Sequence, residues 1–358
     1  HWGSFVARFP IPILAVGVVL LGAVALPALR MELGLPDNGM KPLDTTERRG
    51  YDLLAEGFGP GFNGPLVVVV RSLDGEPIQN EAAAVAEELK RLPNVAAVAP
   101  PTPNEAGDLA IVSLTPRTGP NDAETKTLVG DIRDQGERLR AAGQAELMVT
   151  GTTAVNIDIS DRLNGAFPVF GLVIVILALV LLILVFRSLL VPLKAVIGFL
   201  LSMAASLGFV VSVFQFGHLA GLFDVAKTGP ILNFLPILLT GILFGLAMDY
   251  EVFLVTRMRE EYTHSGQARE SVVGGLGHSG RVVTAAGLIM IFVFGSFIFS
   301  PDPMIKAMGL SLTFGVLVDA FIVRMTLVPA VMTLLGRAAW SLPRWLDRLL
   351  PNLDIEGE

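Results

Sequence analysis

The 358-residue chain has no cysteine, which excludes disulfides and leaves the redox compartment unreadable. Charge is scarce too. Only 16% of residues are Asp, Glu, Lys or Arg against 52% hydrophobic, a balance too apolar for an ordinary soluble chain and one that marks a membrane protein. His218, His264 and His278 are scattered without ligand spacing, so no metal site is expected. No internal repeat and no cleavable signal peptide are visible, and the start at His1, not Met, favours a first span in a truncated or excised chain.

What the sequence does have is long charge-free runs. About 20 residues cross a bilayer, and such runs occupy Phe9–Leu29, Ala166–Phe186, Ala195–Gly217, Thr228–Met248 and Val282–Pro301. A sixth, Ala307–Gly336, is interrupted only by Asp319 and Arg324. With the N-terminus inside, the short inner segments hold Arg8, Arg187, Lys194, Arg257, Arg259, Arg269, Arg281, Arg337, Arg344 and Arg348, and the short outer loops only Lys227 and Lys306. That asymmetry sets the expected orientation, and Trp2, Trp340 and Trp345 fall at the inner interface.

The large polar piece, Met31 to Leu163, is placed outside. It holds 12 Lys/Arg against 21 Asp/Glu, a net −9 that argues against a nucleic-acid partner. The patterning predicts strands at Pro65–Arg71, Val95–Ala99, Leu109–Leu114 and Glu146–Thr150. Helices are expected at Gln79–Arg91 and Asp122–Ala142, the second capped by Asn121. The order βαββαβ is the split, ferredoxin-like pattern. The expected fold is therefore an α-helical membrane protein of six transmembrane helices with an inserted α+β ferredoxin-like extracytoplasmic domain. Its parts are a first helix in 1–30, the outer domain in 31–163, a five-helix bundle in 164–336 and a cytoplasmic tail in 337–358.

Asp249 lies eight residues before Arg257, about 12 Å along a helix and well inside a hydrocarbon core of about 30 Å. An ionisable group there costs roughly 2.5–3.5 kcal/mol on insertion scales unless protein or water covers it. Gly241, Gly245 and Asp249 share one stripe, and small residues on it predict close packing that turns Asp249 toward a neighbouring helix. Ser311, Gly315 and Asp319 repeat the device on the last span, followed by Arg324. Buried acids near a cation can change protonation in the working range, and Tyr250 adds a hydroxyl to relay it. The alternative is a structural ion pair locking two helices.

These residues sit in strings with a family likeness: GLAMDYEVFLVTRMREEY (Gly245–Tyr262), GHSGRVVTAAGLIM (Gly277–Met290), GVLVDAFIVRMTLVPAVMTLLG (Gly315–Gly336) and EGFGPGFNGPLVVVV (Glu56–Val70). Together they resemble the C-terminal half of a transporter of the MMPL (mycobacterial membrane protein large) family, in the RND superfamily of proton-driven exporters. The resemblance implies a secondary active transporter and no enzyme, with no cofactor beyond a proton gradient. It implies a multi-pass protein of the bacterial plasma membrane, termini cytoplasmic, whose outer domain acts as a porter for membrane lipids or other hydrophobic cargo. The family's Asp-Tyr pair matches Asp249 and Tyr250, and its acid and arginine in the last span match Asp319 and Arg324. A second Asp-Tyr pair belongs to the N-terminal half, so that half, a partner half or a second copy is expected. A non-transporting lipid sensor or a membrane assembly or translocation factor is the alternative.

The implied relay has Asp249 taking up a proton from outside and releasing it inward, with Tyr250 completing its path. Arg324 biases the acids, and Asp319 is its partner or a second relay site. On a straight helix Asp319 and Arg324 stand about 140° apart, so contacts with other helices are expected before contact with each other. Other motifs carry less. Gly275–Gly280 matches G-x-G-x-x-G without a preceding strand and is expected to be an inner loop. Arg257, Arg259, Glu260 and Glu261 are expected to form a solvated helix end, and Glu251 to snorkel to the interface. Gly57–Pro65 is a candidate hinge or entrance, or a plain surface loop.

Overall fold

A chain crossing lipid must satisfy its backbone polar groups internally, and the apolar runs do so as helices. The computed structural model describes residues Trp2–Leu342. In chain order its helices are α1 (Trp2–Arg8), α2 (Pro10–Ala25), α3 (Thr46–Phe58), α4 (Gln79–Leu89), α5 (Ala123–Ala141), α6 (Thr152–Phe186), α7 (Leu190–Val210), α8 (Leu235–Ser265), α9 (Ala268–Ser296), α10 (Pro303–Leu317) and α11 (Val328–Leu335). Its strands are β1 (Leu33–Gly34), β2 (Leu66–Ser72), β3 (Val95–Val98), β4 (Thr102–Pro103), β5 (Leu109–Pro116), β6 (Ala145–Thr150) and β7 (Ile231–Leu232). Among the described residues six helical segments are long and apolar enough to cross a membrane: Pro10–Arg30, Thr152–Phe186, Leu190–Gln215, Leu235–Ser265, Ala268–Phe299 and Pro303–Trp340.

Several span limits differ from the charge-free runs, as where α6 begins at Thr152 and not at Ala166. The run from Thr228 first contributes β7, parallel to β1, and α8 begins only at Leu235, with Pro236 in the first turn where its missing N–H costs nothing. Helix α9 begins at Ala268, so Gly275–Gly280 is helical and no loop. Its glycine has a packing reason, because a Cβ on Gly275 would lie 2.8 Å from Met258 Cα of α8.

One compact unit comprises Leu33–Asn164 and Ala226–Asn233. Its antiparallel sheet has the order β3-β5-β2-β6, with β4 beside β5. Alternation puts Leu66, Val68 and Val70 of β2 and Ala110, Val112 and Leu114 of β5 in one core. That core also takes Ala82, Val85 and Leu89 of α4 and Leu128, Val129 and Ile132 of α5. Asn121 does not cap α5. The N-cap is Asp122, and Asn121 Nδ2 instead donates to Asp37 Oδ2 at 3.1 Å. Within the Gly57–Pro65 stretch Gly61 is tightly packed, since a Cβ on it would fall 1.8 Å from Pro116 O, whereas Gly57, Phe58, Pro60 and Phe62 are exposed.

The other unit comprises the chain up to Glu32, Gly165–Val225 and the chain from Phe234 on. Over their most apolar windows the third and sixth spans are 56% and 61% buried and the first only 6%. The third and sixth are therefore the bundle's interior, where a charge can be shielded from lipid. Lys194 lies there, buried in α7, and is not an inner-loop cation. Trp2 Nε1 donates to Met325 O at 3.0 Å, the carbonyl to which Pro329, four residues on, has no N–H to give. Arg344, Trp345, Arg348 and most of the expected tail 337–358 lie outside the described residues.

Candidate functional site

Inside this bundle four charged side chains meet. Between α10 and α11 the last span continues as a π-helical segment, Val318–Leu327, closed by Val328 N donating to Val323 O. Bonding from i to i+5 tightens the angle between residues five apart. Arg324 Nε accordingly donates to Asp319 Oδ2 at 3.3 Å. The expectation that they would contact other helices before each other assumed a straight α-helix, and the direct contact corrects it.

Both residues also reach other helices. Ser202 Oγ of α7 donates to Asp319 Oδ1 at 3.3 Å, and Arg324 Nη1 donates to Glu251 Oε2 of α8. The second Glu251 oxygen accepts from Lys194 Nζ of α7. Arg324 and Glu251 are fully buried, and Asp319 and Lys194 nearly so. Snorkelling of Glu251 is thereby overturned. Its side chain turns inward to two cations rather than outward along the helix to water.

Asp249 stands apart from this cluster, whereas Tyr250 lies within electrostatic reach of Asp319. Asp249 is exposed on the bundle surface, and a Cβ added at Gly241 or Gly245 would meet no atom within 4 Å. Among the described residues, then, no helix of this chain packs on that stripe, contrary to the sequence expectation. The matching stripe on α10 is packed: a Cβ on Gly315 would lie 2.6 Å from Leu243 and 3.2 Å from Ser206. The Tyr250 hydroxyl is buried without a hydrogen-bond partner, as is Arg324 Nη2.

Two carboxylates and two cations make a network that is neutral when every member is ionised. Its members come from three helical segments, so a proton added to either acid changes what ties them together. The sequence suggests Lys194 as an inner-segment cation and Glu251 as a snorkelling acid, and it does not single out Ser202. One signal was available: on an α-helix Asp249 and Glu251 point about 200° apart, so an inward and an outward acid were implied at once.

Comparison with known proteins places the molecule. The MMPL family profile matches residues 42–349. Membrane protein YdfJ of Bacillus subtilis is 56% identical over 357 residues, covering 99% of this chain and 49% of that protein. Heme uptake protein MmpL11 of Mycobacterium tuberculosis is 36% identical over 363 residues, covering 99% and 37%. Trehalose monomycolate exporter MmpL3 of Mycolicibacterium smegmatis is 31% identical over 370 residues, covering 99% and 36%. The chain thus spans about half the length of these relatives or less.

Proposed function

This chain belongs to the MMPL family, and from that premise we propose that it forms one half of a proton-driven exporter of lipids or other hydrophobic compounds. The observation that carries the reading is the buried network of Asp319, Arg324, Glu251 and Lys194 in a membrane bundle. Ionisable groups at such depth are expensive, and in spanning helices they mark ion pathways and proton relays. A proton enters by Asp249 with Tyr250 completing its path, and Asp319 and Arg324 respond by changing which helices they tie. Each charge moved through 100 mV supplies about 2.3 kcal/mol toward such a change. The sheet unit, with its βαββαβ order, acts as a ferredoxin-like porter outside the plasma membrane, the termini being inside.

The uncovered stripe of Gly241, Gly245 and Asp249 supports a second half packed against it. That half comes from further sequence of the same polypeptide, from a partner or from a second copy. Relatives bear names for trehalose monomycolate export and for heme uptake, which supports a transport role and leaves direction to be measured.

The test is gradient-dependent movement of lipids and heme, in both directions, by the full-length native protein in energised vesicles, wild type against Asp249→Asn at matched amount. Loss of export in a folded variant is the expected result. Export unaffected by the substitution would return Asp249 to a structural role. No movement by either protein under a verified gradient would favour the non-transporting sensor or assembly reading.

A further inference from the structure

The two carboxylates of the buried network are not equivalent, and this inference rests on the relay reading above. Glu251 has a cation on each oxygen, Lys194 on Oε1 and Arg324 on Oε2. Asp319 has one cation, through Arg324 Nε at 3.3 Å, and on its other oxygen only the neutral Ser202 hydroxyl at 3.3 Å, whose one proton is shared with Gly198 O at 3.1 Å. A proton at Glu251 must displace one of two buried cations from its carboxylate, whereas at Asp319 it displaces one long hydrogen bond.

We infer that Lys194 and Glu251 are positioning residues of the relay: a fixed ion pair that anchors Arg324 through Nη1 and leaves Asp319 as the carboxylate that exchanges the proton. In that step one proton from outside the network binds an Asp319 carboxylate oxygen, the hydrogen bond from Arg324 Nε to that carboxylate is released while Arg324 keeps its own proton, and the network goes from neutral to +1. Arg324 stays in place because Glu251 still holds Nη1. Without Lys194 the remaining three groups would carry −1, and Glu251 would itself become a site for the proton.

The surroundings add little competing charge. Besides Lys194 and Ser202 on α7, Glu251, Asp249 and Tyr250 on α8, and Asp319 and Arg324 on the π segment, the remaining charged residues of α8 (Arg257, Arg259, Glu260, Glu261 and His264) are outside the buried set, and α2 and α11 bear none. Lys306 of α10 is bonded to Asp224 O at 2.8 Å. On α9 His278 lies beside Glu261, and Arg269, Glu270 and Arg281 are outside the buried set.

The experiment is an infrared pH titration of the full-length native protein in liposomes, reading the carbonyl band of protonated buried carboxyl groups. In wild type the titrating buried band is expected to shift with carboxyl-13C aspartate, not with labelled glutamate, and one such band is expected to vanish in Asp319→Asn. Lys194→Met is expected to gain a second band that is absent from the Lys194→Met/Glu251→Gln double variant, whereas Lys194→Arg keeps the wild-type titration. A wild-type band that moves with labelled glutamate and is lost in Glu251→Gln overturns the inference, as does an unchanged titration in folded Lys194→Met. The isotope arm needs no variant to fold. Nor does the titration need transport: a band assigned to Asp319 together with full export by Asp319→Asn would sink the relay and leave the proton site standing.

Discussion

Arg324 is the residue on which the interior charges depend. It is fully buried and donates to both Glu251 and Asp319. Replacing it with Met leaves two buried acids facing one lysine, and breaking a buried pair in this way costs about 3–5 kcal/mol. Arg324→Met is therefore expected to lower the thermal midpoint of the purified protein sharply. Arg324→Lys keeps the charge but not the planar fork that serves two acids at once, so an intermediate loss is expected in the same melt. A second residue-scale outcome concerns Tyr51, outside the membrane, whose hydroxyl donates to Asp37 at 3.0 Å. Burial, and then the Asp37 charge, push its phenol well above its ordinary value. A group whose folded pKa is raised contributes stability that is complete below its unfolded pKa, about 10 for tyrosine, and lost as pH climbs beyond that. Tyr51→Phe should be less stable by about 1 kcal/mol at neutral pH. Across pH 9–11, on the order of the tyrosine titration, its denaturation midpoint should fall less steeply than that of wild type.

At the scale of elements, glycine positions separate contacts made within the chain from those left open. A Cβ on Gly208 of α7 would lie 2.1 Å from Val24 O of α2, whereas one on Gly241 of α8 would touch nothing. Gly208→Leu is thus expected to destabilise the bundle by about 1–3 kcal/mol or more. Gly241→Leu should leave the melt of this chain within about 0.5 kcal/mol while abolishing cargo movement in the full-length protein. Equal destabilisation by both would mean that the Gly241 face is covered after all. The six spans were legible because a charge-free run of that length has few other uses. The central strand was legible from its β-branched run, Pro65–Arg71. Three features were not. The meeting of Asp319 and Arg324 needs a π segment, which no 3.6-residue period reveals. The helical Gly275–Gly280 mimics a loop because glycines that let α9 approach α8 look the same in sequence as glycines that turn a chain. Glu251 resembles an interfacial acid until Lys194, 57 residues earlier, is placed across from it. Of the residues expected in a relay, Asp319 and Arg324 were found in the interior and Asp249 on an open face.

For the whole molecule the difference between closed and open sites yields a separation of activities. The buried network draws all its members from this chain, so proton binding at it should survive in the chain by itself. The stripe bearing Asp249 has no covering helix among the described residues, and the relatives are at least about twice as long. Coupled transport needs both, because a gradient can do work only if the proton path is completed and the moving helices have something to move against. The chain alone in liposomes is accordingly expected to show the buried carboxyl titration but no gradient-driven lipid movement, and production together with the remainder of the native protein is expected to restore movement. Cross-linking through a cysteine placed at Gly245, a position the cysteine-free sequence leaves uncontested, would then report which chain covers the stripe. Transport by the chain as a verified monomer would contradict the half-transporter reading. Transport only at concentrations where Gly245→Cys chains cross-link to each other would instead identify a second copy as the missing half.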